Sequence, residues 1–172
     1  MIWALNDVSF DLEEGKVLGI VGIGFTGTRT AALAKAFGMR VLAFDPFVAP
    51  EEIRRRGAEP MDLETLLRSA DIVSVHCPRN KETTNLMDAK RFASMKKGAI
   101  FVTTARGGIH DEAALAEALE EGRLAGAAVD VWEPEPPRLD HPLLARDDVI
   151  ATYHVAGVTH EAREAMAREA ID

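Results

Sequence analysis

The stretch that most constrains this chain runs from Lys16 to Asp45 and reads KVLGIVGIGFTGTRTAALAKAFGMRVLAFD. An apolar run from Val17 to Val21 meets a glycine cluster at Gly22, Gly24 and Gly27; an alanine- and leucine-rich segment of helical period follows, and a second apolar run closes on Asp45. Strand, turn, helix and strand are expected in that order. Each glycine has a separate physical task. Gly22 permits a tight turn out of the first strand, Gly24 lets the backbone come close to a ligand, and Gly27 lets the helix pack close to the sheet.

The spacing of Gly22-Ile23-Gly24-Phe25-Thr26-Gly27 matches the fingerprint of a dinucleotide site. The helix N-terminus offers free amides and a partial positive charge to a pyrophosphate. Asp45, at the end of the second strand, can accept hydrogen bonds from both ribose hydroxyls. NAD is then preferred to NADP, because a 2′-phosphate beside that carboxylate brings like charges together and Pro46 and Phe47 supply no cation. Arg54 to Arg56 read as a solvated helix face. A competing reading comes from the opening, MIWALNDVSFDLEEG, which with GKVLGIVG resembles the leading strands of ABC-transporter ATPases. Gly22 to Gly27 even has the glycine spacing of a phosphate-binding loop. That loop fails, since Thr28 stands where lysine must reach the phosphates and Arg29 where a magnesium-binding hydroxyl is required.

At 172 residues and 47% hydrophobic the chain can bury one core, so a single domain over 1–172 is expected, with 1–15 as an atypical lead-in. A net charge of −8 argues against a nucleic-acid surface, which needs a basic patch. One cysteine, Cys77, excludes an internal disulfide and fits a reducing cytosol. No apolar run approaches membrane-spanning length, and the N-terminus lacks the basic-then-apolar layout of a signal peptide. A cytoplasmic protein with no membrane partner and no bound metal is the expectation.

After Asp45 the chain alternates helices with short apolar strands. Helices are expected at Glu51 to Arg56, Met61 to Ser69 with Asp62 as cap, Asp88 to Lys96, Asp111 to Glu121, and Thr159 to about Ala170 with Thr159 as cap. Strands are expected at Asp71 to Val75, Ala99 to Thr103, Ala125 to Val129 and Val149 to Thr152, with a possible strand around Val8 to Leu12 and a proline-rich loop from Glu133 to Pro142. The pattern implies an α/β fold: a doubly wound parallel sheet covered on both faces, with sites at the carboxyl ends of its strands. The unusual residues collect at those ends. His76 follows one strand, Arg106 another, Asp130 and Glu135 a third, and His154 the last.

At this point the chain resembles a family, the D-isomer-specific 2-hydroxyacid dehydrogenases, which include D-3-phosphoglycerate dehydrogenase. GKVLGIVGIGFTG is similar to the family's glycine motif, with Phe25 and Thr26 for its usual arginine and isoleucine; HCPRNKETTNL is similar to its His-x-Pro stretch, with Asn80 where threonine is common. VTTARGGIHDEAAL resembles its Ala-Arg-Gly-Gly segment, with Thr103 for a frequent asparagine. AAVDVWEPEPP and ATYHVAG resemble its last two motifs, with Tyr153 where proline usually precedes the histidine.

The resemblance implies a Rossmann-type NAD-binding domain of an oxidoreductase that moves a hydride between NAD and a 2-hydroxy or 2-keto acid. Arg106 would hold and polarise the substrate, its planar fork pairing with a carboxylate. His154 would exchange the proton at the carbonyl oxygen. Glu135 would hydrogen-bond His154, orient it and favour its protonated form. Asp130 would sit near the nicotinamide, Phe25 and Thr26 would offer backbone groups to the pyrophosphate, and Cys77, Pro78, Thr104, Ala105 and Ala156 would join Arg106 and His154 in lining the cofactor. His76 reads as structural. Family chains carry a separate substrate-binding domain that has no counterpart in these 172 residues, so an isolated cofactor domain is expected, one that binds NAD, turns over poorly or not at all and self-associates as a homodimer. The alternatives are a nucleotide-binding module without turnover and, weakened by Thr28 and Arg29, a P-loop NTPase-like chimera.

Overall fold

The computed structural model describes residues 15–169. The expected strand around Val8 to Leu12 lies outside them. From the glycine stretch onward come β1 (Val17–Val21), α1 (Phe25–Ala36), β2 (Arg40–Phe44), α2 (Pro50–Arg55), β3 (Glu59–Pro60), α3 (Leu63–Ser69) and β4 (Ile72–Val75). The second half adds α4 (Ala89–Ser94), β5 (Ala99–Thr103), α5 (Glu112–Glu120), β6 (Leu124–Val129), a 3-10 turn (Pro142–Ala145), β7 (Val149–Ala151) and α6 (His160–Glu169). The seven strands form one sheet in the order β3-β2-β1-β4-β5-β6-β7, and every pairing is parallel. The doubly wound fold expected from the sequence is the fold observed.

Successive strand residues point to opposite faces, which explains why the strands read as unbroken apolar runs. Leu18 and Ile20 of β1 and Val41 and Ala43 of β2 join Ala31 and Ala34 of α1 and Ile53 of α2 in one buried cluster. Val21, Leu42, Val73 and Val75 turn the other way and meet Leu66 of α3, Phe92 of α4 and Leu115 of α5. The small residues on the inner side of α1 set how near it lies to the sheet.

Helix starts follow the capping chemistry. Asp62, Asp88 and Asp111 each accept a backbone N–H three residues on, from Thr65, Arg91 and Ala114, at the heads of α3, α4 and α5. Helix α1 is different, starting after Gly24 with no side-chain cap.

Three differences from expectation have simple causes. β3 was not foreseen, because two residues, one of them proline, carry no alternation; its pairing at the sheet edge is set by β2. Met61 extends that ladder through its N–H to Ala43 O rather than opening α3. The 3-10 turn begins on Pro142, with His141 capping it, inside what reads as the end of a proline-rich loop.

Candidate functional site

The sheet winds outward from β1 in both directions, through β2 and β3 on one side and β4 to β7 on the other. The carboxyl ends of β1 and β4 therefore border the crevice where an open α/β sheet binds its ligand. The glycine turn follows β1 and His76-Cys77-Pro78 follows β4.

Gly22 has φ +91°, and its N–H bonds Phe44 O at 2.8 Å. A Cβ there would meet Cys77 N at 2.7 Å, and one at Gly27 would meet Gly22 O at 2.3 Å, so both positions exclude side chains. A Cβ at Gly24 would meet nothing within 4 Å. Open space above Gly24, next to an uncapped helix terminus, is the cradle a pyrophosphate requires, and the residues present fit a dinucleotide. Thr28, at the position where a phosphate-binding loop carries its lysine, turns its hydroxyl back to Gly24 O at 2.7 Å.

Asp45 accepts the Ile23 N–H on Oδ2 and the Phe47 N–H on Oδ1, both at 3.0 Å. Ile23 O is in turn bonded by Arg56 Nη1 at 2.6 Å, while Arg56 Nε pairs with Glu52 at 2.9 Å. The peptide groups around Ile23 are thus held from both sides. This corrects the reading of Arg54 to Arg56 as a solvated face: Arg54 and Arg55 are exposed, but Arg56 is partly buried against the glycine turn. The miss arose because β3 folds back on β2 and brings the end of α2 to β1, a contact with no local signature.

Two pockets flank the turn and share His76, Cys77 and Pro78. One, of ≈ 600 Å³, reaches Gly22, Gly24, Asp45 and Phe47. The other, of ≈ 650 Å³, is lined by Thr26, Thr104, Ala105, Arg106, Glu135 and His154, together with Arg79, Gly107, Trp132 and Glu133. The sequence reading did not single out those last four, although they too follow the carboxyl ends of β4, β5 and β6. Two lobes joined at the glycine turn suit the two halves of a dinucleotide. Burial raises the Cys77 thiol above its usual range, aided by the Asp45 charge, and lowers His76, which bonds Ser74 Oγ at 2.9 Å. The Ser74 contact ties His76 to β4, and the residue borders both pockets.

Within the second pocket His154 Nδ1 lies 2.9 Å from Glu135 Oε2. A carboxylate only accepts, so Nδ1 carries the proton and Nε2 is left for exchange with a substrate. Glu135 Oε1 takes the Trp132 N–H at 2.9 Å. The bond from His154, then that from Trp132, hold the Glu135 carboxyl below its usual range, with the His154 and Arg106 charges adding to the effect. Arg106 is exposed and commits Nη1 to Ala105 O at 2.6 Å, which leaves the rest of its fork for an anion.

Asp130, expected beside the nicotinamide, is tied into the turn that carries His154. Its side chain is buried, accepting Thr152 Oγ1 at 2.5 Å and Val155 N–H at 2.9 Å on Oδ1, and Ala156 N–H at 3.0 Å on Oδ2; its carbonyl accepts the His154 N–H at 2.6 Å. Burial alone would raise this carboxyl, but the three hydrogen bonds outweigh it and the pKa falls. Asp130 builds the turn on which His154 adopts φ +57°, a left-handed conformation that a non-glycine residue holds only when its surroundings impose it. Ala156, also expected to line the cofactor, is the exposed donor in that turn and borders neither pocket. Phe25 lies outside both pockets as well, 71% exposed with the Arg29 guanidinium 5.4 Å from its ring centre; its expected contribution was through the backbone. Among the described residues no group of His, Cys, Asp and Glu could hold a metal ion.

This geometry has counterparts. Residues 3–156 match the model of the D-isomer specific 2-hydroxyacid dehydrogenase NAD binding domain. The chain is 49% identical over 150 residues to a D-3-phosphoglycerate dehydrogenase of Archaeoglobus fulgidus, covering 87% of this chain and 28% of that one. It is 45% identical to a glyoxylate reductase of Aeropyrum pernix, covering 92% of this chain and 48% of the relative. The structure superposes with TM-score 0.81 on a D-lactate dehydrogenase of Lactobacillus jensenii solved with NAD+, at 34% identity, over 91% of this chain and 50% of that one. It thus spans half or less of each of these proteins. By sequence and by fold, the chain belongs to the D-isomer specific 2-hydroxyacid dehydrogenase family and carries that family's NAD-binding domain.

Proposed function

We propose that this chain is the cofactor-binding part of an NAD-dependent dehydrogenase that interconverts 2-keto acids and 2-hydroxy acids. The observation that carries the reading is the His154–Glu135 pair, 2.9 Å apart, in one pocket with Arg106 and adjoining the glycine turn. Arg106 holds the substrate carboxylate through paired N–H donors and draws electron density from the neighbouring carbonyl. NADH, when bound, supplies the hydride to the carbonyl carbon. His154 gives the Nε2 proton to the carbonyl oxygen as the C=O bond becomes C–O–H, and it is left neutral with Nδ1–H still on Glu135. In the reverse direction His154 takes the hydroxyl proton. Thr26, Cys77, Pro78, Thr104 and Ala105 wall the cofactor side of the pocket.

The protein works in the cytoplasm as a homodimer with small-molecule substrates, without nucleic-acid or membrane partners. Phe25 and Leu33, 71% and 64% exposed on α1, give self-association an apolar surface to cover. No helix among the described residues is long and apolar enough to cross a membrane.

The test has two arms. NADH and ATP are titrated separately, with cofactor fluorescence and calorimetry as readouts; NADH binding is expected, and magnesium-dependent ATP hydrolysis would sink the reading. NADH oxidation is then followed with hydroxypyruvate, glyoxylate and pyruvate. Reduction of at least one, abolished by His154→Ala, is expected. A rate indifferent to His154→Ala and Arg106→Ala would overturn the assigned roles.

A further inference from the structure

Joined to the pocket through Trp132 and Glu133 lies a second cluster of ionisable groups that the proposed reaction does not touch. Glu112 is the first residue of α5, its side chain 11% exposed. One oxygen, Oε1, accepts the Glu133 N–H at 2.7 Å, and the other, Oε2, lies 2.9 Å from His141 Nε2. His141 Nδ1 accepts the Leu143 N–H at 3.3 Å, so its proton sits on Nε2 and is donated to Glu112. The His141 ring meets the Trp132 indole edge-on, centroids 5.3 Å apart.

The segment between the two clusters is Trp132-Glu133. The Trp132 N–H goes forward to Glu135 Oε1 and the Glu133 N–H goes back to Glu112 Oε1, so two successive amides are each taken by a carboxylate. The indole N–H bonds Thr152 O at 2.7 Å, two residues before His154. A Cβ on Gly107 would meet Trp132 O at 1.8 Å, so the loop after β5 presses directly on this segment. Glu133 also pairs with Arg79 across the pocket.

Building on the function proposed above, we infer that Glu112 and His141 are a positioning pair: by fixing the Trp132-Glu133 backbone they aim Glu135 at His154 Nδ1 and so set which imidazole nitrogen is free for proton transfer. Both donors need an acceptor, and a carboxylate supplies two where an amide supplies one. Burial raises the Glu112 carboxyl, while the Glu133 N–H and His141 counter it. The other ionisable groups coupled to the pair are Glu133 from the loop after β6, His110 ahead of α5, and Asp140 beside His141.

The experiment reads the His154 tautomer by long-range 1H–15N correlation on the 172-residue chain, a measurement that needs no turnover. In the wild type at neutral pH the Nδ1–H form should predominate. Glu112→Ala should shift the ratio several-fold toward Nε2–H, the form a free imidazole prefers. Glu112→Gln, which can satisfy only one of the two donors, should fall between them. NADH affinity, set at the glycine turn, should change less than about twofold, which also shows that the variants are folded. Where 2-keto acid reduction is measurable, Glu112→Ala should lower kcat with little change in KM. A wild-type chain without the Nδ1–H form, or a folded Glu112→Ala with the wild-type ratio, overturns the inference. Should Glu112→Ala not fold, an unchanged ratio in Glu112→Gln does the same. A wild type that binds no NADH, or that hydrolyses ATP with magnesium, defeats the proposed function alone and leaves the tautomer result standing.

Discussion

At the scale of single residues, the ionisable groups divide by what surrounds them. His110 is 3% exposed, packs against the Phe101 ring and has no hydrogen-bond partner on either ring nitrogen. Burial lowers its pKa from 6.5 to about 4, with the His141 charge acting in the same direction and Asp111 against it. Between those values the unfolded chain holds a proton that the folded chain does not, so stability falls as pH drops from 6.5 and levels off below about 4. The gap corresponds to about 3 kcal/mol. Urea denaturation at pH 7 and pH 4.5 should show this loss, and His110→Phe should flatten it; an unchanged acid limb would place the sensitivity elsewhere. Asp45 is the second residue with a defined consequence. Its carboxylate organises the Ile23 amide and faces the pocket where the ribose would lie. Asp45→Ala should weaken NAD binding roughly tenfold or more, about 1.4 kcal/mol, and bring NADP closer to NAD. Equal dissociation constants for the two cofactors in the wild type would refute the preference.

At the scale of elements, the glycine turn and α1 act as one unit whose positions fail in different ways. Gly27→Ala drives a Cβ into Gly22 O and forces α1 off the sheet, so stability should drop by about 1–3 kcal/mol along with cofactor binding. Gly24→Ala meets no protein atom, so the fold should keep its melting temperature while the new methyl group occupies the cradle and NADH affinity falls. Thermal melts and NADH titrations of the two variants separate a packing role from a ligand role; equal destabilisation would refute the assignment. The Asp62 cap and most helix and strand bounds were legible because caps and apolar periods are local; Asp88 and Asp111, read as first helical residues, prove to be caps as well. The clamp of Arg56 on Ile23, the Asp130 turn and the Glu112–His141 pair were not, because each joins residues at least 22 positions apart and leaves no spacing rule in the sequence.

At the scale of the whole molecule, the exposed apolar residues of α1 and the short span relative to the family's chains lead to the last expectations. Light scattering at high micromolar concentration should give a dimeric mass, and a monomer would count against self-association. The 172 residues should bind NAD through one βαβ unit yet reduce 2-keto acids slowly, since aligning substrate with cofactor in a closed crevice is worth ~7–11 kcal/mol of the barrier; ordinary enzyme rates would refute this. The sequence alone determined the glycine turn, the order of strands and helices and the parallel sheet, because each follows from contiguous pattern, while Arg106, Glu135 and His154 were singled out through the resemblance to the family. Only the tertiary structure decided that Asp130 serves the turn under His154, that Arg56 belongs to the glycine loop, and that Trp132-Glu133 is held by Glu112. Hydrogen-bond partners are chosen by proximity after the sheet assembles, and proximity across strands is a property of the folded chain.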